Sequence, residues 1–184
     1  MFQKLLKKIA RTLDGCALPY MVIGGQALLI YGEPRLTKDI DIILGVGIEE
    51  MAKVKTHIGA LGLRIIPNDP EDFAKKTMVL PSIDDTSGIR VDFIFSISDY
   101  ERQAIERAHP IKFGGTSVKF ASLEDLVIHK VIAGRARDIE DIKSVLLKNP
   151  LYNKKYIADW LGDFDTSLNG SFLEVFTTIE REIA

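Results

Sequence analysis

The sequence is poor in the features that define several protein classes. Of its 184 residues only Cys16 is a cysteine, so an internal disulfide framework is excluded and a reducing compartment is expected. No apolar run approaches the roughly 20 residues that span a bilayer. The first residues alternate charged with apolar side chains, unlike a signal peptide. We therefore expect a cytoplasmic protein with no membrane partner.

An excess of either charge is also missing. The chain has 26 acidic and 24 basic residues, a net charge of −2, which gives no general attraction to nucleic acid. Net charge does not describe how charges are distributed, so it does not exclude a local basic groove. The sequence contains no low-complexity tract. With 46% hydrophobic and 27% charged residues, it predicts a folded chain with a sizeable core and not a disordered one.

Hydrophobic periodicity divides the chain into two parts. Up to residue 121, short apolar runs alternate with helical stripes, whereas the pattern from 122 to 184 is helical and begins at Ser122, a predicted cap. We predict an α/β fold of the α+β type, with a small mixed, twisted sheet and flanking helices over 1–121. Residues 122–184 form a C-terminal helical region that we expect to pack on this core.

Individual elements follow from the same patterns. The predicted strands are 20–23, 39–46, 63–66, 77–80 and 89–96, with a hairpin of 111–113 and 118–120 around two glycines. The predicted helices include 26–31, 48–61, 100–109, 139–147 and 172–183.

Two aspartates on one predicted strand carry the strongest chemical signal. Side chains two apart on a strand share a face, so Asp39 and Asp41 lie together while Ile40 faces the core. Adjacent carboxylates repel each other. A divalent cation such as Mg²⁺, which prefers hard oxygen ligands, would remove that repulsion. The alternative is a strand end whose aspartates are solvated.

A third aspartate lies on the polar face of another apolar strand. Val91 and Phe93 form the apolar face of segment 89–95, and Asp92 lies opposite them. If the two strands are sheet neighbours, the three carboxylates converge and can hold two metal ions roughly 3.5–4 Å apart, which suits in-line phosphoryl displacement. Otherwise Asp92 is an edge-strand charge.

A glycine pair precedes these aspartates. Gly24 and Gly25 stand where an apolar strand ends and a helix begins, so backbone N–H groups there could approach phosphates without interference from a Cβ atom. The alternative is a tight strand–helix turn. Arg35 and Thr37, just before the aspartates, are candidates for contact with phosphate or acceptor, or members of a solvated loop.

The order of these motifs resembles the nucleotidyltransferase superfamily related to DNA polymerase beta. Within it, the sequence is similar to the small bacterial members that include antibiotic-modifying and toxin–antitoxin types. The resemblance covers roughly residues 20–142 and rests on the glycine pair, the Asp-x-Asp of segment 35–41 and Asp92. Many relatives have serine after the first glycine. Here Gly25 and Gln26 follow, so phosphate contact must come from backbone amides or the Gln26 amide.

This resemblance implies an enzyme that transfers a nucleoside monophosphate from an NTP, such as ATP, to a hydroxyl acceptor. Two Mg²⁺ ions would be bound by Asp39, Asp41 and Asp92, which are also the implied catalytic residues. The implied nucleotide contacts are Gly24, Gly25, Gln26, Arg35, Thr37, Lys130 and Arg137.

The last two of these contacts come from the helical part. Segment 129–142 resembles the Lys…Arg-Asp…Asp-Ile segment of the same small nucleotidyltransferases. Lys130 could extend past the core toward a phosphate, or lie at the boundary of the core as a snorkelling lysine. Arg137 could likewise face the nucleotide. Asp138 and Asp141, three apart on one helical face, are predicted to pair with Lys130 or Arg137.

Two functional classes stay open at this point. In the enzyme class the acceptor could be an antibiotic, a tRNA end or a protein hydroxyl, and a cognate toxin or antitoxin could be a partner. The alternative is a non-catalytic relative of the same fold that acts as an antitoxin or a regulatory partner.

Overall fold

The described chain forms two compact units. The structure is a computed structural model and describes residues 1–34, 36–96 and 98–183. One unit comprises Met1–Gln26 and Leu36–Ala121, and the other comprises residues 27–34 and 122–183. The first contains the β-sheet and the second is helical.

The first unit interleaves helices with strands. Its helices are α1 (Phe2–Gly15), the start of α2 (Gly24–Tyr31), α3 (Met51–Ala60), which follows a 3₁₀ turn at Ile48–Glu50, α4 (Pro70–Thr77) and α5 (Asp99–Glu106). Its strands are β1 (Tyr20–Ile23), β2 (Asp39–Leu44), β3 (Arg64–Ile65), β4 (Val79–Asp84), β5 (Ile89–Phe95), β6 (His109–Phe113) and β7 (Thr116–Phe120).

The strands of this unit form one mixed sheet in the order β3-β4-β5-β2-β1-β7-β6. Strand β2 is parallel to β5 and antiparallel to β1, and β1 is parallel to β7. The pairs β3–β4, β4–β5 and β6–β7 are antiparallel. This architecture confirms the predicted α/β class with a mixed sheet and flanking helices.

Alternating side chains along the two central strands determine which face joins the core. Ile40, Ile42 and Leu44 of β2 are fully buried, and so are Val91 and Phe93 of β5. Each is separated by one residue from the next, so they lie on one face of the pleated sheet. The residues between them, including the aspartates, lie on the opposite face.

Local signals in the sequence explain several helix ends. Helix α4 begins after Asp69, whose side chain accepts a hydrogen bond from the Asp72 N–H, and Pro70 is its first residue. Helix α5 has a capping box formed by Ser98 and Glu101. These caps use N–H groups that have no partner inside the helix.

The second unit is built from helices. It contains the end of α2 together with α6 (Leu123–Ala133), α7 (Ala136–Lys148), α8 (Lys154–Leu168) and α9 (Phe172–Ile183). Ser122 caps α6 by accepting from the Asp125 N–H, as predicted. The side chains of Asn149 and Lys148 donate to the carbonyls of Tyr31 and Gly32 at 2.8 and 3.1 Å, which ties the end of α2 to the end of α7.

Some predicted elements are wrong in their extent. The strand predicted at 77–80 lies at Val79–Asp84, and Thr77 instead ends α4. Strand β4 pairs with β5 along its whole length, so it extends four residues beyond its predicted end at Leu80, and the turn begins only after Asp84. Helix α8 was not predicted as an element. No helix among the described residues is both long and apolar enough to cross a membrane.

Candidate active site

The strands that carry the aspartates are direct neighbours in the sheet. In the parallel β2–β5 pair, Asp41 lies beside Asp92 and Asp39 lies beside Arg90. Neighbouring strands are about 4.8 Å apart, and side chains at matched positions share a face. The sheet therefore gathers three carboxylates and one guanidinium into a block of four residues, hereafter the carboxylate block.

The carboxylate block is open to solvent to different degrees. Asp39 at the start of β2 is exposed, and Asp41 is partly buried. The Asp92 side chain is 17% exposed and that of Arg90 is 47% exposed. The block is thus accessible to a ligand from its outer side, while the opposite sheet face is closed by the apolar core.

Arg90 was missed by the sequence reasoning. Its Nε donates to Oδ1 of Asp92 at 2.7 Å, two residues along the same strand. This hydrogen bond raises the pKa of the Arg90 guanidinium, and the charges of Asp92, Asp39 and Asp41 add to the effect. The i, i+2 spacing of Arg90 and Asp92 in a strand was the signal that could have revealed it.

Gly24 packs directly against one of these carboxylates. Strand β1 ends at Ile23, opposite Asp41 in the antiparallel register, and α2 begins at the next residue. Gly24 has φ +64°, and a Cβ atom there would overlap Oδ2 of Asp41 and lie 3.0 Å from its Cγ. Both the backbone conformation and the close approach therefore require glycine.

Gly25 approaches the loop that leads into β2. A Cβ atom on it would lie 2.5 Å from the Oγ1 atom and 2.9 Å from the Cβ atom of Thr37. The Thr37 hydroxyl donates to the Asp39 carbonyl at 3.2 Å. The start of α2, this loop and the first aspartate are therefore packed together. Arg35 lies outside the described residues.

Gln26 completes the start of α2. It is 6% exposed, and its Nε2 has no hydrogen-bond partner among the described residues. A buried amide group without a partner is unusual, because satisfied polar groups are the rule in protein interiors. A ligand or water that accepts a hydrogen bond from Nε2 of Gln26 would offset the free-energy cost of burying this amide without a partner.

Lys130 forms a buried ion-pair cluster within the helical unit. Its Nζ donates to Asp138 at 2.8 Å and to Asp141 at 2.6 Å, and the three side chains are at most 9% exposed. Arg135 also donates to Asp138. The pairing of both aspartates with Lys130 agrees with the structural role expected for them. Arg137 is exposed on α7, and the nucleotide roles of Lys130 and Arg137 stay predictions.

Among the described residues, no group of three or more acidic, histidine or cysteine side chains is arranged to hold a metal ion by itself. Mg²⁺ commonly binds through one or two carboxylates and completes its shell with water and substrate phosphates.

Several solved structures of similar fold are described as nucleotidyltransferases or nucleotidyltransferase-like proteins. The ANT(2")-Ia structure, in complex with adenylyl-2"-tobramycin, has a TM-score of 0.60 at 16% identity and covers 91% of this chain and 99% of its own. An antigenic nucleotidyltransferase-like protein from Paracoccidioides brasiliensis has a TM-score of 0.56 at 16% identity, covering 96% and 91%. The lincosamide adenylyltransferase LnuA, bound to lincomycin, has a TM-score of 0.52 at 18% identity, covering 77% and 94%. At such low identity these similarities establish the fold.

The family follows from the sequence itself. No protein of curated function matches the chain, but one family profile aligns with residues 1–155, which is most of the chain. The chain belongs to the family described as "Nucleotidyltransferase of unknown function (DUF6036)".

Proposed function

We propose that this nucleotidyltransferase moves a nucleoside monophosphate from an NTP to an acceptor hydroxyl, at a divalent metal site that includes Asp39, Asp41 and Asp92. The observation that carries the proposal is the parallel register that sets Asp41 beside Asp92. The close packing of Gly24 on Asp41 adds support, since it brings the start of a helix to the carboxylates.

The residues of the carboxylate block fit Mg²⁺ by their chemistry. Carboxylate oxygens are the hard ligands that this ion prefers, and one or two of them suffice when substrate phosphates complete the shell. Glycine at position 24 leaves the Asp41 carboxylate lying against the backbone where helix α2 begins. We therefore expect Asp39 and Asp41 to hold the metal that carries the triphosphate, with Asp92 serving a second metal. A bound metal would neutralise charge that develops on the phosphates.

The chain's own groups would then have separate tasks. The N–H groups of Gly25 and Gln26 at the start of α2 are expected to donate to phosphate oxygens, since a helix N-terminus favours anions. The buried Gln26 amide, which has no partner among the described residues, is a further donor. Asp92 is expected to orient the acceptor hydroxyl and to take or relay its proton.

The reaction forms one bond and breaks one. The acceptor oxygen bonds to the α-phosphorus of the NTP, and the bond from that phosphorus to the bridging oxygen of the β-phosphate breaks. The bonding electron pair leaves with pyrophosphate, and the hydroxyl proton passes to Asp92 or through it to water. Antibiotic hydroxyls are the first acceptors to test, because the adenylyltransferases of the same fold were solved with adenylyl-tobramycin and with lincomycin.

Neutralising each aspartate in turn tests the assignment. Asp92→Asn should reduce transfer of labelled nucleotide by on the order of 10²-fold, the scale of losing an acid–base group, and should keep Mg²⁺-dependent NTP binding in isothermal titration. Asp39→Asn and Asp41→Asn should lose both. Asp85→Asn, in the β4–β5 turn and paired with Arg64, is the matched control. Wild-type turnover by Asp92→Asn would show that this residue is only a strand charge.

A further inference from the structure

Arg90 is the fourth member of the carboxylate block, beside the three aspartates. It neighbours Asp39 across the β2–β5 pair and precedes Asp92 by two residues on its own strand, so its side chain emerges on the carboxylate face. Its Nε is 2.7 Å from Oδ1 of Asp92. One of the four groups that a metal ion would meet is thus a permanent cation.

The contact occupies one oxygen of Asp92. A charge-assisted hydrogen bond of this length is among the stronger ones that a carboxylate accepts. A divalent cation that binds Asp92 must share the carboxylate with the guanidinium or displace it. In either case the positive charge of Arg90 repels an ion bound a few ångströms away.

The degree of burial makes this competition measurable. The Asp92 side chain is only 17% exposed, so its charge is screened less than that of a surface carboxylate. The positive charge of Arg90 does not titrate away in the working range of an enzyme, because guanidinium stays protonated. Arg90 therefore presents its positive charge to Asp92 at every pH at which metal binding would be measured.

We propose that Arg90 is a positioning residue that competes with the divalent cation for Asp92 and so weakens metal binding before the nucleotide arrives. This inference rests on the metal site of the proposed function. Its consequence is ordered loading: the second metal, which Asp92 would hold, binds efficiently only after the triphosphate is in place, because the negative charges of the triphosphate offset the repulsion from Arg90.

The experiment measures metal binding without nucleotide and without turnover. Mn²⁺ serves as the probe, and electron paramagnetic resonance reports the free ion during titration of the wild type, Arg90→Gln and Arg90→Lys. Removing the charge should tighten Mn²⁺ binding roughly three- to tenfold, the range expected for a partly exposed ion pair. Arg90→Lys keeps the charge but loses the Nε contact, and should fall between the two. Circular dichroism checks that each variant folds.

Two further variants isolate the mechanism. Arg64→Gln removes an arginine of the same sheet that is paired with Asp85 at 2.7 Å, and it should leave Mn²⁺ affinity unchanged. In the Asp92→Asn background, Arg90→Gln should give a clearly smaller gain, because only the repulsion between Arg90 and the ion remains once Asp92 can no longer be contested.

The outcomes separate this inference from the proposed function. Equal or weaker Mn²⁺ binding by Arg90→Gln overturns the competition. An unchanged gain in the Asp92→Asn background overturns it too. Tighter binding by Arg90→Gln in a protein that transfers no nucleotide supports the inference while the proposed function fails. If neither the wild type nor Arg90→Gln binds Mn²⁺ in the absence of nucleotide, this inference falls, whereas the proposed function is decided by the NTP titrations and the transfer assay.

Discussion

Replacing Gly24 with alanine tests how closely helix α2 packs on the carboxylate strand. Gly24 has φ +64°, where an L-residue is strained, and its added Cβ would overlap Oδ2 of Asp41. Gly88, in the β4–β5 turn, has φ +69° but no atom within 4 Å of an added Cβ. Alanine would therefore suffer the same backbone strain at both positions, but only at position 24 would its Cβ atom also overlap a neighbouring side chain.

The expected losses of unfolding free energy differ accordingly. The left-handed conformation costs an L-residue about 1–2 kcal/mol, partly offset by the reduced freedom of the unfolded chain, which both alanine variants share. At Gly24 the Asp41 side chain must also leave its preferred rotamer, which costs about 1 kcal/mol more. Gly24→Ala should therefore destabilise the protein by about 1 kcal/mol more than Gly88→Ala.

Urea denaturation followed by circular dichroism measures these differences. The excess at Gly24 should vanish in an Asp41→Ala background, where the nearest remaining atom is the residue 41 Cβ at 3.3 Å. Because Gly24→Ala also displaces a proposed metal ligand, it should weaken Mg²⁺-dependent NTP binding, whereas Gly88→Ala should not. The reasoning is refuted if Gly24→Ala costs no more than Gly88→Ala, or if its excess survives the loss of the Asp41 carboxylate.

Two further predictions concern the buried cluster of the helical unit. Lys130→Met leaves the carboxylates of Asp138 and Asp141 buried without their ammonium partner and should lower the free energy of unfolding by about 3 kcal/mol or more. Lys143→Met removes a lysine from more exposed ion pairs and should cost clearly less; equal losses in urea denaturation would contradict this. Burial by itself raises the pKa of Asp138, but its hydrogen bonds from Arg135 and Lys130 outweigh burial and hold that pKa below its usual range. A carboxyl whose pKa is lowered by folding stabilises the protein above its unfolded-state pKa, and this stability is lost as the pH falls through its folded-state pKa. The urea midpoint of the wild type should therefore fall more steeply below about pH 4 than the midpoint of Asp138→Asn. Parallel curves for the two proteins would argue against this role of Asp138.

The faces of the central strands could be predicted because strand periodicity is local. Alternation along 39–44 and 89–95 is enough to separate Ile40 and Val91 from Asp41 and Asp92. That β2 and β5 are parallel neighbours, with Asp41 beside Asp92, depends on pairing between distant segments. From the sequence alone, the convergence of the three carboxylates could be predicted only on the condition that the two strands are neighbours in the sheet.

Tertiary pairing also explains the errors at β4. The residues from Ser82 to Asp84 have the composition of a turn, yet they lie in a strand because β5 offers a hydrogen-bonded partner along the whole of Val79–Asp84. Pairing of this kind overrides local preference. The Lys130 cluster was more predictable, since the three-residue spacing of Asp138 and Asp141 on one helix face already indicated a shared partner.

The two-part membership of helix α2 limits how this protein can be divided. Its first turn, Gly24–Gln26, belongs to the sheet unit and its remainder to the helical unit, so the polypeptide passes between the units three times: after residue 26, between 34 and 36, and after 121. A fragment ending at residue 121 would carry the end of α2 without the Asn149 and Lys148 groups that hold its last carbonyls. Chimeras between relatives should therefore exchange residues 27–34 together with 122–183, because recombination at a single point would separate segments that fold together.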